Sequence, residues 1–188
     1  SFFKLIWDHN NLKKLSLAHP RLFPRMAIVD PELTFQLPYL STISTGLDAL
    51  NQAFESIWNR NRTPITILTA SQAIGKALIS LPRLHLNLED SEARSMISEA
   101  SLLAGFSISQ TRTAICHSIS YPLTAHFGIN HGIACAFTMS SVARKVLDSS
   151  PATFSEVVSQ NNIQSAEELL KRLDNLLNTI GIKDIIKS

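Results

Sequence analysis

Asp48 and Gln52 stand four residues apart, and His117 and His131 stand fourteen apart further along the chain. One carboxylate, one amide oxygen and two imidazoles can together surround a single divalent metal ion. Such an ion polarises a carbonyl or alkoxide oxygen, so the set points to metal-assisted chemistry centred on His117 and His131. The first pair lies in Thr45-Gly46-Leu47-Asp48-Ala49-Leu50-Asn51-Gln52-Ala53-Phe54-Glu55-Ser56. Helical spacing i and i+4 aims both side chains the same way. A carboxylate on so apolar a helix is costly unless paired or metal-bound. On spacing alone, a carboxylate acting as cap or dipole partner near a helix start explains Asp48 equally well. A lone histidine is more often a core or surface residue, and His9, His19 and His85 are read that way. His126, between the pair, is a lesser ligand candidate. Cys116 adjoins His117, but neighbours on a helix point about 100° apart and form no dyad by adjacency. It is read as a buried reduced thiol, and Glu55 as a buried polar contact rather than a base.

These residues need helices to position them. Leu47, Leu50, Phe54 and Ile57 recur at helical spacing from Ser44 on. A second helix is expected from Ile65, with Pro64 in its first turn, to about Ser80, stopped near Pro82. Asp90 or Ser91 caps a third, through Ala93, Met96, Ile97, Ala100 and Leu103 to about Gly105. A fourth is expected from about Ser109 to Ser120, against Pro122, and a fifth from His131 to about Leu147. Ser150-Pro151 opens a short sixth. Ser165-Ala166-Glu167-Glu168 reads as a capping box before Leu169, Leu170, Leu173, Leu176 and Leu177. Residues 1–40 differ: four prolines (Pro20, Pro24, Pro31, Pro38) break any long helix, and Phe3–Trp7 and Met26–Val29 are extended candidates. The expected fold is mainly α, a helical bundle over 41–188 with a short β or irregular segment over 1–40.

Composition narrows the function. Apolar residues make up 45% and charged residues 17% of the 188, which excludes general disorder. A net charge of +2, with basic residues scattered from Lys13 and Lys14 to Arg60 and Arg62, predicts no nucleic-acid partner. No run of about 18 apolar residues occurs, so no membrane span is expected. The opening Ser1–Asp8 does not read as a signal peptide. Two cysteines, Cys116 and Cys135, make no disulfide framework, and a reduced cytoplasmic setting is expected. Gly75-Lys76 resembles the end of a phosphate-binding loop, but Ala70 and Ala77 stand where that motif needs glycine and a hydroxyl. The segment is read as helix, and no dinucleotide site is visible.

A set of segments carries a family resemblance. They are Ala27-Ile28-Val29-Asp30-Pro31-Glu32-Leu33-Thr34, Leu37-Pro38, Thr45–Leu50 with Glu55, Ala104-Gly105, His117 and His131-Gly132. In this order they resemble the C-terminal helical domain of the iron-containing (group III) alcohol dehydrogenases, over most of residues 5–147. The resemblance implies a dehydroquinate synthase-like helical domain and hydride transfer between NAD or NADP and a small alcohol or aldehyde. One aspartate and three histidines bind the metal in that family. Asp48, His117 and His131 match three positions, and Gln52 falls on the fourth, a weaker ligand than imidazole. Asn51–Trp58 and Thr113–Thr124 are similar to the phosphonoacetaldehyde reductase (hydroxyethylphosphonate dehydrogenase) branch and to 3-deoxy-octulosonate 8-oxidases. An anionic substrate needs a cation, and Arg112, near His117, is the expected one. Residues 1–40 resemble the strands and crossover that close the family's dinucleotide-binding domain. The chain is therefore read as a fragment, cut short near Ser188, that binds NAD(P) only with that domain. The family implies a homodimer. The alternatives are a metal-free member of the family and an inactive helical module.

Overall fold

The computed structural model of the chain describes residues 3–8 and 13–187. Ser1, Phe2, His9 and Ser188, discussed above, lie outside them. The chain opens with an antiparallel hairpin, β1 (Phe3–Asp8) and β2 (Lys13–Ala18), in register from Phe3 opposite Ala18 to Asp8 opposite Lys13. The extended segment expected at Phe3–Trp7 is thus β1, paired with a strand not expected. Met26–Val29 is not a strand: Met26 and Ile28 are exposed in irregular chain that runs to a 3-10 turn at Pro31–Thr34. Pairing has to come from a neighbouring strand, and no described residue supplies one there.

Eight α-helices follow among the described residues: α1 (Tyr39–Trp58), α2 (Pro64–Leu86), α3 (Ser91–Thr111), α4 (Ile115–Phe127), α5 (His131–Ser149), α6 (Ser155–Gln160), α7 (Ala166–Ile180) and α8 (Ile182–Lys187). Helix α1 sits in the middle, packed on α2, α3, α4 and α5. Most of its residues are buried, as in a helix surrounded by others. Ile43, Leu47, Leu50, Phe54 and Ile57 are fully buried on it. Phe54, Trp58 and Phe154 form an aromatic cluster with ring centroids 5.8–6.4 Å apart. Gly75-Lys76 lies inside α2, as a helix and not a phosphate loop. By length and mean hydropathy α2 could cross a membrane, but half of that stretch is buried inside the protein. It is read as a core helix.

The expected helix ends fail at the prolines. Helix α2 runs past Pro82 to Leu86, and α4 runs past Pro122 to Phe127. Each proline removes one ladder bond, but the buried Leu81 and Leu84 of α2 hold the chain helical beyond it. The third helix runs past Gly105 to Thr111. The break before His117 falls instead at Arg112, whose φ of 68° turns the chain out of α3. Asp90 caps α3 by accepting from the Ala93 N–H, and Ser165 caps α7 by accepting from Glu168. In place of the second half of a capping box, Glu168 accepts from the Gln164 N–H.

Three packing devices place the functional helices. First, Arg94 on α3 is buried and donates to the carbonyls of Leu88, Thr34 and Leu37 and to the Thr42 hydroxyl, at 2.6–3.2 Å. It ties the irregular segment before α1 to the bundle. Second, the start of α4 has no cap of its own. The Glu55 carboxylate, fully buried on α1, accepts from the N–H groups of Ala114 (2.7 Å), Cys116 (2.7 Å) and His117 (3.3 Å). An acid at a helix N-terminus satisfies orphan donors and complements the helix dipole. Third, α5 starts hard against α1. A Cβ at Gly132 would lie 1.8 Å from the Ser44 carbonyl oxygen, a backbone atom that cannot move aside cheaply.

Gly132→Ala is therefore expected to destabilise the chain by at least about 2 kcal/mol, an overpacking cost. Urea unfolding monitored by circular dichroism reads this as a lower midpoint. An unchanged midpoint would show that α5 does not rest on α1 at Ser44.

Candidate metal centre and its relatives

Asp48 and His117 meet where α1 crosses the start of α4, and His131 joins them from the first turn of α5. Gly128, in the left-handed region at φ 68°, ends α4 and turns the chain back so that α5 can begin there. The His117 Nε2 lies 3.3 Å from Asp48 Oδ1, and the His131 Nε2 lies 3.9 Å from the same oxygen. That oxygen is buried and has no hydrogen-bond partner. The other carboxylate oxygen, Oδ2, accepts from the Gln52 amide nitrogen at 2.9 Å. Asp48, Gln52, His117 and His131 are thus brought together. Gln52 meets the site by orienting the aspartate.

Each imidazole is aimed by a neighbour. Glu55 Oε2 lies 2.8 Å from His117 Nδ1, so the hydrogen on that nitrogen points to Glu55 and Nε2 turns to Asp48. Asn51, also buried, lies against the same Nδ1 at 3.1 Å. For His131, Nδ1 faces the Ser120 hydroxyl at 3.3 Å, and the ring stacks on Tyr121 at 6.0 Å with planes 11° apart. Burial, the largest influence on His117, lowers its basicity. The nearby carboxylates of Asp48 and Glu55 outweigh it and raise the pKa to about 9.

This donor set fits a divalent ion. Around a tetrahedral ion, neighbouring nitrogen and oxygen ligands lie about 3.4 Å apart. The orphaned Asp48 Oδ1 stands at 3.3 Å from one imidazole nitrogen and 3.9 Å from the other. The sequence reading missed Cys135. Its Sγ, one turn beyond His131 on α5, lies within 4.8 Å of the Asp48, His117 and His131 donor atoms. Its spacing of four from His131 was the signal available. The burial that holds Cys116 up to about 12 also raises Cys135 well above the ordinary thiol range. His126 is exposed in the last turn of α4 and outside the donor group, which removes it as a ligand candidate. His85 and His19 have structural contacts, with Tyr39 Oη at 2.6 Å and the Arg21 N–H at 3.1 Å.

The donors open into a cavity of about 1180 Å³. One wall is the irregular segment Phe23–Asp30, and another is α3 from Arg94 to Ser109. Arg112 and Thr113 line the same cavity as Asp48, Gln52, His117 and His131. Arg112 is held there by the α3 C-terminus, its N–H donating to Ile108 and its carbonyl accepting from Asn59.

Known proteins are similar to this chain. A family model described as the C-terminal part of the Fe-containing alcohol dehydrogenase family matches residues 42–187. Phosphonoacetaldehyde reductase of Streptomyces viridochromogenes is 35% identical over 76% of the chain and 36% of its own length. NAD-dependent methanol dehydrogenase of Bacillus methanolicus is 29% identical over 95% of the chain and 49% of its own length. A crystal structure of sulfoacetaldehyde reductase from Bifidobacterium kashiwanohense in complex with NAD+ superposes with a TM-score of 0.90. It is 31% identical, and the match covers 96% of this chain and 48% of that one. The chain spans about a third to a half of the length of these curated relatives. With the family match running from the start of α1 to the end of α8, the chain belongs to the iron-containing alcohol dehydrogenase family.

Proposed function

We propose that this chain is the metal- and substrate-holding part of an NAD(P)-dependent alcohol dehydrogenase or aldehyde reductase working in the cytoplasm. The observation that carries this is the buried, unpartnered Asp48 Oδ1 with two imidazole Nε2 atoms beside it, at the edge of a large cavity. Asp48, His117 and His131 would hold iron or zinc, and the ion would act as a Lewis acid on the substrate oxygen. Gln52 fixes the Asp48 rotamer, Glu55 and Asn51 fix the His117 ring, and Tyr121 backs His131. The nicotinamide would come from a dinucleotide-binding domain of the kind the longer relatives have room for. Residues 1–40 are then the piece that joins the two, and 41–188 the helical domain.

The substrate we assign is a short aldehyde with an anionic head. Two of the relatives are named for phosphonoacetaldehyde and sulfoacetaldehyde, each an aldehyde carrying such a group. Arg112 lies in the cavity wall with the donors. A guanidinium there offers paired N–H donors to a phosphonate or sulfonate while the aldehyde oxygen sits at the donors.

Three measurements test this. Metal analysis of anaerobically purified protein is expected to give about one iron or zinc per chain, and none in Asp48→Ala. A wild type that stays metal-free after reconstitution would favour the metal-free reading. Glu55→Gln weakens the grip on the His117 ring, so metal affinity should fall by about 10–100-fold, read by competition with a chromogenic chelator. Arg112→Ala, in protein carrying the nicotinamide domain, should raise KM for phosphonoacetaldehyde by about tenfold or more, with little change for butanal. Equal effects on both aldehydes would remove Arg112 from anion recognition.

A further inference from the structure

We propose that Cys135 is the fourth protein ligand of this metal centre. The inference deepens the metal reading above and rests on it. Cys135 follows His131 by one helical turn on α5, so their side chains share one face. Its Sγ lies 3.7 Å from His131 Nε2. Nitrogen and sulfur ligands of one tetrahedral ion lie about 3.6 Å apart, given zinc–nitrogen and zinc–sulfur bonds of about 2.1 and 2.3 Å. The Asp48 and His117 donors stand at the matching nitrogen–oxygen spacing of 3.3 Å. All four donor atoms lie within 4.8 Å of one another. Cys135 is fully buried, and its Sγ lies with the other donor atoms. With four protein donors in place, the substrate oxygen of the function proposed above would enter from the cavity as a fifth ligand.

Cysteine changes what the centre prefers. As the sulfur–metal bond forms, the thiol releases its proton, and a thiolate, a carboxylate and two neutral imidazoles then neutralise a divalent ion with charge to spare on neither side. A thiolate in the set moves the preference towards zinc or cobalt and away from iron.

Cobalt(II) added to the metal-free chain under argon tests this by absorption, with no turnover involved. Thiolate bound to cobalt gives a charge-transfer band in the near ultraviolet, while bound cobalt of any ligand set gives visible d–d bands. The chain has two cysteines, so the Cys116→Ser variant leaves Cys135 as its one thiol. Expected are both sets of bands in wild type and in Cys116→Ser, and d–d bands alone in Cys135→Ser. Visible bands without the charge-transfer band in wild type would overturn the cysteine ligand and leave the metal reading standing. So would a charge-transfer band that survives in Cys135→Ser. No cobalt bound at all would overturn both. Should Cys135→Ser fail to fold, the spectrum of Cys116→Ser decides alone.

Discussion

The buried carboxylate of Glu55 is the contact on which the site depends. It carries no exposed surface, and burying a carboxylate without partners is prohibitive. Here three backbone N–H groups of the α4 start and the His117 ring nitrogen surround it. The same four bonds do two jobs. They satisfy donors that an uncapped helix start would leave orphaned, and they fix which nitrogen of His117 faces Asp48. Local sequence does not explain why α4 begins where it does, since Ala114 offers no side-chain cap. The cap comes from α1, about sixty residues earlier in the chain. Docking α4 on α1 and aiming His117 are therefore one event.

Helix α1 can carry this because its own position is over-determined. Other helices pack on it from several sides, and its apolar residues fill the core between them. Its polar residues, Asp48, Asn51, Gln52 and Glu55, turn towards the α4 and α5 starts. A donor on a rigid, surrounded helix moves less than one on a loop, and that precision is what a metal site demands. The third donor follows from packing too. Gly132 lets α5 close on Ser44, and this approach brings His131 to within 3.9 Å of Asp48.

Periodicity showed the helices and the facing pair Asp48 and Gln52, because both follow from local spacing. It misjudged the ends at Pro82 and Pro122. A proline costs a helix a fixed local penalty, and the long-range packing of Leu81 and Leu84 outweighs it. The positive φ of Arg112 left no local trace, since glycine, the usual residue there, is absent from 112–114. Glu55 was legible only as a buried polar group, because its partners lie beyond any local window. Cys135 was passed over for the same reason: its spacing from His131 gained meaning once α5 was seen to start at the donors.

The electrostatics of the pocket bear on what it holds. Asp48 Oδ1 is a buried acceptor without a hydrogen bond, a condition that costs about 1–3 kcal/mol. A fold keeps such an atom where something positive offsets the cost. Two imidazoles cannot do so as neutral rings presenting lone pairs. A proton on His117 Nε2 can, and the two flanking carboxylates favour it strongly enough to overcome burial. A divalent ion would meet the same need with twice the charge, held by the lone pairs of both rings. Proton and ion compete for one point, so the features that make His117 basic also make Nε2 a strong metal ligand once the proton leaves. The pocket edge is where such a charge is useful, because there alone can a substrate oxygen reach it from the cavity.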